Sequence, residues 1–91
     1  MNTYVNILTA THSDYYFAQL QFDADTLVLK IDQGFKRALK KKIPLEFVEN
    51  LQADFYLGAK TVRFTVNETQ YTFFEFGESV IDYLQEKLML N

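Results

Sequence analysis

Apolar and polar residues alternate with a period of two along most of this chain and change to helical spacing only near its end. Thr61 to Val66 sets Val62, Phe64 and Val66 against Arg63 and Thr65, and Gln70 to Phe76 sets Tyr71, Phe73 and Glu75 against Thr72, Phe74 and Phe76. Successive side chains on a pleated strand point to opposite faces, so both runs read as strands, joined by Asn67-Glu68-Thr69. Both rows of the second run carry aromatics, so at least one of them is expected to be buried. After Gly77, Ser79 with Asp82 three residues on reads as an N-cap, and Val80, Ile81, Leu84 and Leu88 share one helical face opposite Gln85 and Glu86. The spacing predicts a closing helix that begins at Val80, within a residue or two, and runs to the final residue.

Upstream, Tyr4, Val5, Ile7 and Leu8 read as a strand ending in Thr9-Ala10-Thr11, and His12-Ser13-Asp14 as a polar turn. In Tyr15 to Phe22, the set Tyr16, Ala18, Leu20 and Phe22 is the better core face, leaving Tyr15, Phe17 and Gln19 on the other. Asp23-Ala24-Asp25-Thr26 turns the chain into a third strand, Leu27, Leu29 and Ile31 alternating with Val28, Lys30 and Asp32. The three runs read as a meander. Residues 35–51 leave helix and strand open. Phe35 and Leu39 stand at helical spacing, but Gly34 and Pro44 limit any helix to about two turns, and a basic loop fits equally. Beyond them, Leu45, Phe47 and Glu49 alternate as in a strand, whereas Pro44 as a first helical residue would place Phe47, Val48 and Leu51 on one face. Phe55-Tyr56-Leu57 is short and apolar, and Gly58-Ala59-Lys60 is a turn.

Composition sharpens this picture. Ninety-one residues hold one domain, and 48% hydrophobic content with six Tyr and nine Phe excludes intrinsic disorder. The fold class expected is mainly β with a C-terminal α-helix: an antiparallel sheet or partly open barrel of about six to seven strands closed by one helix. With no Cys, neither a disulfide framework nor a thiolate zinc site can form. No run approaches the ~20 apolar residues of a membrane-spanning helix, and the start lacks a secretory-signal pattern, so a cytoplasmic location is expected.

Several short strands followed by one amphipathic helix resemble the pleckstrin-homology-like superfold, with its small bacterial PH and GRAM-type domains. The residues that carry the resemblance are Ile43-Pro44-Leu45-Glu46-Phe47-Val48, Lys60 to Val66, Tyr71-Thr72-Phe73-Phe74 and the helix Ser79 to Leu90. The resemblance covers most of the chain. It implies that the first four strands pack against the last three with the helix plugging one end, and roles from anionic head-group binding to peptide recognition and scaffolding. The chain departs from the family in being short, in lacking Trp in its last helix and in having His12-Ser13-Asp14 where a basic loop would join the first two strands. If the resemblance holds, a cationic site lies in the Lys36 to Lys42 connection instead.

The formal net charge is −3, yet Lys30, Lys36, Arg37, Lys40, Lys41 and Lys42 against Asp32 give residues 30 to 42 a net +5. Phe35, Lys36, Arg37, Lys40, Lys41 and Lys42 are therefore the candidate patch for an anionic membrane surface or a partner, each basic side chain near such a surface being worth about 1 kcal/mol. The bland alternative is a solvated loop with Phe35 and Leu39 turned to the core. Nucleic acid is disfavoured by a pI near 5.0. The lone His12 beside Asp14, the pair Asp23 and Asp25, and the neighbours His12 and Ser13 read as turn residues, not as metal ligands or a nucleophile with its base. Glu46, Glu49, Glu75 and Glu78 read as surface acids. No catalytic, cofactor or metal site is expected. The expectation is a non-enzymatic interaction module that meets a protein partner or a second copy, with peripheral binding to anionic membrane as the alternative.

Overall fold

The computed structural model of the chain describes residues 1–32, 34, 37–76 and 80–89. Its strands are β1 (Asn2–Leu8), β2 (Ser13–Asp23), β3 (Thr26–Ile31), β4 (Leu39–Pro44), β5 (Glu49–Tyr56), β6 (Ala59–Val66) and β7 (Thr69–Phe74), followed by helix α1 (Val80–Met89). They form one antiparallel sheet in the order β4-β3-β2-β1-β7-β6-β5. Every sequence-adjacent strand pair is a neighbour except β4 with β5, which are the two free edges. The sheet stays open, and β1 is the seam that joins the opening meander to the closing one.

Side-chain parity explains which face is dry. Val5 lies opposite Tyr16 on one side and Phe73 on the other, and Ala18 opposite Ile31, so residues of matching parity line up across the strands. The inner face carries Val5, Ile7, Ala18, Leu20, Leu27, Leu29, Ile31, Ile43, Val62, Phe64, Val66, Tyr71 and Phe73, which pack as one core. Strands from both halves of the sheet feed that core, so the sheet curls around it. Helix α1 completes the enclosure with Val80, Ile81, Leu84 and Leu88, the stripe read from the sequence. Glu75 Oε1 accepts a hydrogen bond from the Val80 amide at 3.2 Å, which satisfies one of the helix's open N–H groups. The N-cap expected at Ser79 and the helix end expected beyond Met89 lie outside the described residues. Thr3, buried among the apolar inner residues, donates its hydroxyl to the Phe74 carbonyl.

In the open segment neither continuous reading holds: two strands flank a 3-10 turn, so the strand expected through Leu45, Phe47 and Glu49 is interrupted and the helix from Pro44 does not form. Residues 39–44 are strand, Leu45–Phe47 is a single 3-10 turn, and β5 begins at Glu49. Pro44 ends a strand and starts no α-helix. A half-buried Leu45 and Val48 pack on the core, whereas Phe47 is exposed, the reverse of what a helix with Phe47 inward requires. Ala59 and Lys60, read as turn, are strand; the turn is Leu57-Gly58, tightened by left-handed backbone at both (φ 51° and 84°). Asn67 and Glu68 likewise take left-handed φ (48° and 69°) in the two-residue turn before β7, a conformation whose twist matches that of paired strands.

Removing the helix stripe opens the core, so Leu84→Ala should lose about 2–5 kcal/mol and Glu86→Ala, on the exposed side, no more than about 0.5 kcal/mol, both read from urea unfolding. Burial raises the Tyr71 phenol above its ordinary value. A neutral Tyr71 is thus the folded form, and its contribution is complete below the unfolded phenol's pKa of about 10 and lost as pH rises through the raised folded value. Urea midpoints measured above pH ~10 should fall more steeply for the parent chain than for Tyr71→Phe.

Candidate functional site

The polar parity of the strands does not produce a uniformly polar outer face. Tyr4 opposite Phe17, and Tyr15 opposite Asn6, stand on the outer side of β1 and β2, and Thr72 lies across Asn6 on β7. Tyr4, Phe17 and Phe76 form a triad with ring centroids 5.0, 5.3 and 5.2 Å apart, all exposed on one side. Phe74 meets Tyr15 at 6.0 Å and Tyr56 at 6.2 Å. These separations fall in the range in which edge-on and tilted rings attract.

Between the second group of rings lies a depression of about 250 Å³ lined by Asn6, Tyr15, Gln52, Asp54, Phe55, Tyr56, Thr61, Arg63, Thr72 and Phe74. Its floor is polar and its walls aromatic. Asn6 and Thr61 are buried there. The Asn6 amide donates to Ser13 Oγ at 3.1 Å and to the Asp14 carbonyl at 3.2 Å, which occupies both of its N–H groups and pins the floor to the start of β2. Arg63 donates to Gln52 Oε1 across the β5–β6 ladder, setting the guanidinium on the rim with the Asp54 carboxylate. A hollow of this size takes one large side chain or a comparable small group, held by ring faces and oriented by the amide, hydroxyl and guanidinium groups.

The basic segment is arranged differently from its sequence order. Lys40, Lys41 and Lys42 lie in β4, a free edge, and the pleat divides them. Lys40 stands opposite Lys30, and Lys42 opposite Val28, on the outer face, while Lys41 stands opposite Leu29 on the inner side and is half-buried. The structure thus replaces a contiguous basic loop with an outer row of Lys30, Lys40 and Lys42. Arg37 is exposed beyond the strand, and the candidate residues Phe35 and Lys36 lie outside the described residues. A wide hollow of about 500 Å³ beside this row is lined by Lys30 together with Asp32, Phe17 and Gln19.

His12 sits in the exposed β1–β2 turn, its Nδ1 2.9 Å from Thr11 Oγ1, while Thr9 Oγ1 accepts from the His12 amide at 3.1 Å. Asp23 pairs across the β2–β3 hairpin with Thr26, and the Asp25 carbonyl accepts from the Leu45 amide at 2.8 Å. His12 and Asp25 are thus turn residues, whereas Ser13, Asp14 and Asp23, read as turn, are strand residues of β2 that pair with Leu8, Ile7 and Thr26. Among the described residues no three His, Asp or Glu side chains gather as metal ligands, and none of the described helices is long and apolar enough to cross a membrane.

The aromatic outer face was only partly visible in the sequence. The parity of β2 places Tyr15 and Phe17 outward, but Asn6, Gln52, Asp54, Tyr56 and Arg63 carry no motif and converge only through the long-range β1–β7 and local β5–β6 pairings. No family model matches the chain, and comparison with curated proteins and with solved structures returns no match.

Wall and floor of the depression should separate in a stability measurement. Asn6→Ala breaks two hydrogen bonds and should cost about 1–2 kcal/mol in urea unfolding, whereas Tyr15→Ala, at a side chain 66% exposed, should stay within about 0.5 kcal/mol.

Proposed function

We propose that this chain is a non-enzymatic interaction module of pleckstrin-homology-like form, whose working surface is the aromatic outer face of β1, β2, β5, β6 and β7. The observation that carries the reading is the aromatic-walled, polar-floored depression flanked by the exposed Tyr4, Phe17 and Phe76 triad. Contiguous exposed apolar patches larger than a few hundred Å² are uncommon on monomeric proteins and mark contact surfaces. Ring faces supply area at small entropic cost, and Asn6, Arg63 and Asp54 supply direction. The resemblance to the pleckstrin-homology-like superfold is supported by the uninterrupted antiparallel order, by one core shared between the first four and last three strands, and by the helix across it. A cytoplasmic setting agrees with a cysteine-free chain.

A second reading, peripheral binding to anionic membrane, is favoured by the outer row of Lys30, Lys40 and Lys42. Against it, Leu57 and Phe55, the two most exposed large apolar side chains, lie at the other edge of the sheet, while Phe17 is the exposed ring beside the lysine row.

A photoreactive phenylalanine analogue placed at position 15 should crosslink to a protein partner or to a second copy, and the same group at position 86 on the helix should not. Equal, solvent-quenched behaviour at both positions overturns the reading. Co-sedimentation with phosphatidylserine vesicles that rises with anionic lipid and falls with salt, and that Lys30→Glu with Lys40→Glu abolishes, replaces it with the membrane reading.

A further inference from the structure

The two free edges of the sheet are built differently. β4 carries Lys40, Lys41, Lys42 and Pro44, the residues that blunt an edge, because stacked ammonium groups repel a second copy of themselves and proline offers no N–H. β5 has neither Lys nor Pro. A register irregularity between Glu49 and Gln52, with Asn50 at φ 56°, disturbs only its first part. From Gln52 to Tyr56 the strand pairs regularly with β6 on one side and has no strand partner among the described residues on the other, and Ala53, Phe55 and Tyr56 are exposed.

The turn that follows points the same way. Leu57 is 91% exposed and sits at φ 51°, in the left-handed region where Asn, Asp or Gly is favoured. A leucine there carries backbone strain and leaves its whole side chain in water, two costs that an asparagine would remove. Phe55 is 69% exposed beside it. Strain and apolar exposure together at one hairpin tip have a physical explanation if the tip is covered when the protein works.

We propose that the β5 edge and the Phe55-Tyr56-Leu57 tip form a self-association surface, on which two copies pair β5 against β5, antiparallel, about a two-fold axis. The inference rests on the interaction-module reading and names the partner. A two-fold normal to the sheet preserves its faces, so each outer residue meets an outer residue of the second copy, and registers that oppose Asp54 to itself are disfavoured by like charge. Phe55, Tyr56 and Leu57 together expose on the order of 400 Å² per copy, Phe55 on the inner side and Tyr56 on the outer side of the edge, so covering them in two copies removes less than the roughly 1,000 Å² of a stable specific interface, and the backbone of the paired edges supplies the remainder. The pairing is therefore reversible and concentration-dependent. It also brings the aromatic depression of each copy, whose wall includes Phe55 and Tyr56, to the dyad, where the second copy adds to its rim.

Sedimentation equilibrium on the full chain from about 5 to 500 µM should show a monomer–dimer equilibrium. Leu57→Asn keeps the left-handed turn while removing the apolar contact, and Phe55→Lys gives β5 the charge that β4 already has; each should weaken dimerisation at least tenfold with the circular dichroism unchanged. Lys40→Ala, on the other edge, should leave it unchanged. Mass that grows past the dimer and falls with Lys40→Ala indicates head-to-tail β4-to-β5 association and overturns the proposal. A monomer throughout that still crosslinks at position 15 to another protein overturns the pairing while the module reading stands, and a monomer with no crosslink sinks both.

Discussion

β1 hydrogen-bonds to β2 along one side and to β7 along the other, and this double pairing turns two local meanders into one curled sheet. Val5 opposite Phe73 and Ile7 opposite Tyr71 bring the first and last strands of the sheet together across more than sixty residues, the most non-local contacts among the strand pairs. Such closure costs chain entropy that the other hairpins, with turns of a few residues, do not incur. What offsets it is the shared core: once β1 and β7 are side by side, inner residues of β2 and β3 face those of β6 and β7, and α1 can cover both. Without that seam each meander would present a bare inner face.

The same pairing creates the outer face. Asn6 reaches the floor of the aromatic depression because it lies between Tyr15 on β2 and Thr72 on β7, and the rings of Tyr15, Phe74 and Tyr56 come from three strands that only the assembled sheet makes neighbours. The sheet therefore has two apolar faces of different character. The inner one is dry and sealed by aliphatic side chains. The outer one is aromatic, polar-floored and open, with its cationic row at one edge and its bare strand at the other. Folding requires the first; nothing in the folding of the monomer requires Tyr15, Phe55 or Leu57 to stand in water.

Legibility in the sequence followed locality. The parity of β2, β3 and β6 and the Val80, Ile81, Leu84, Leu88 stripe are visible in windows of a few residues, because the period of the pattern is the period of the pleat or of the helix turn. Residues 35–51 were ambiguous in part because lysines hide the alternation of β4: Lys41 is half-buried on the inner side between Leu39 and Ile43, so a charged residue stands where the pattern calls for an apolar one. Pro44 supported both a helix start and an extended run continuing through Leu45, Phe47 and Glu49, and the strand end with a 3-10 turn that follows is neither. The candidate basic patch was legible as charge but not as geometry, since only the pleat separates Lys41 from Lys40 and Lys42 and only the β3–β4 register adds Lys30. The depression was not legible, because its residues come from five strands with no fixed spacing.

The central claim is that the sheet separates a sealed inner face from an accessible aromatic outer one. Tyrosine nitration of the folded chain, mapped by peptide mass, tests this most directly, since Tyr4 and Tyr15 point outward and Tyr71 inward. Rapid modification of Tyr4 and Tyr15 with Tyr71 untouched until the protein unfolds is the predicted result. Modification of Tyr71 at the rate of Tyr15, or protection of both outer tyrosines in the monomer, would contradict it.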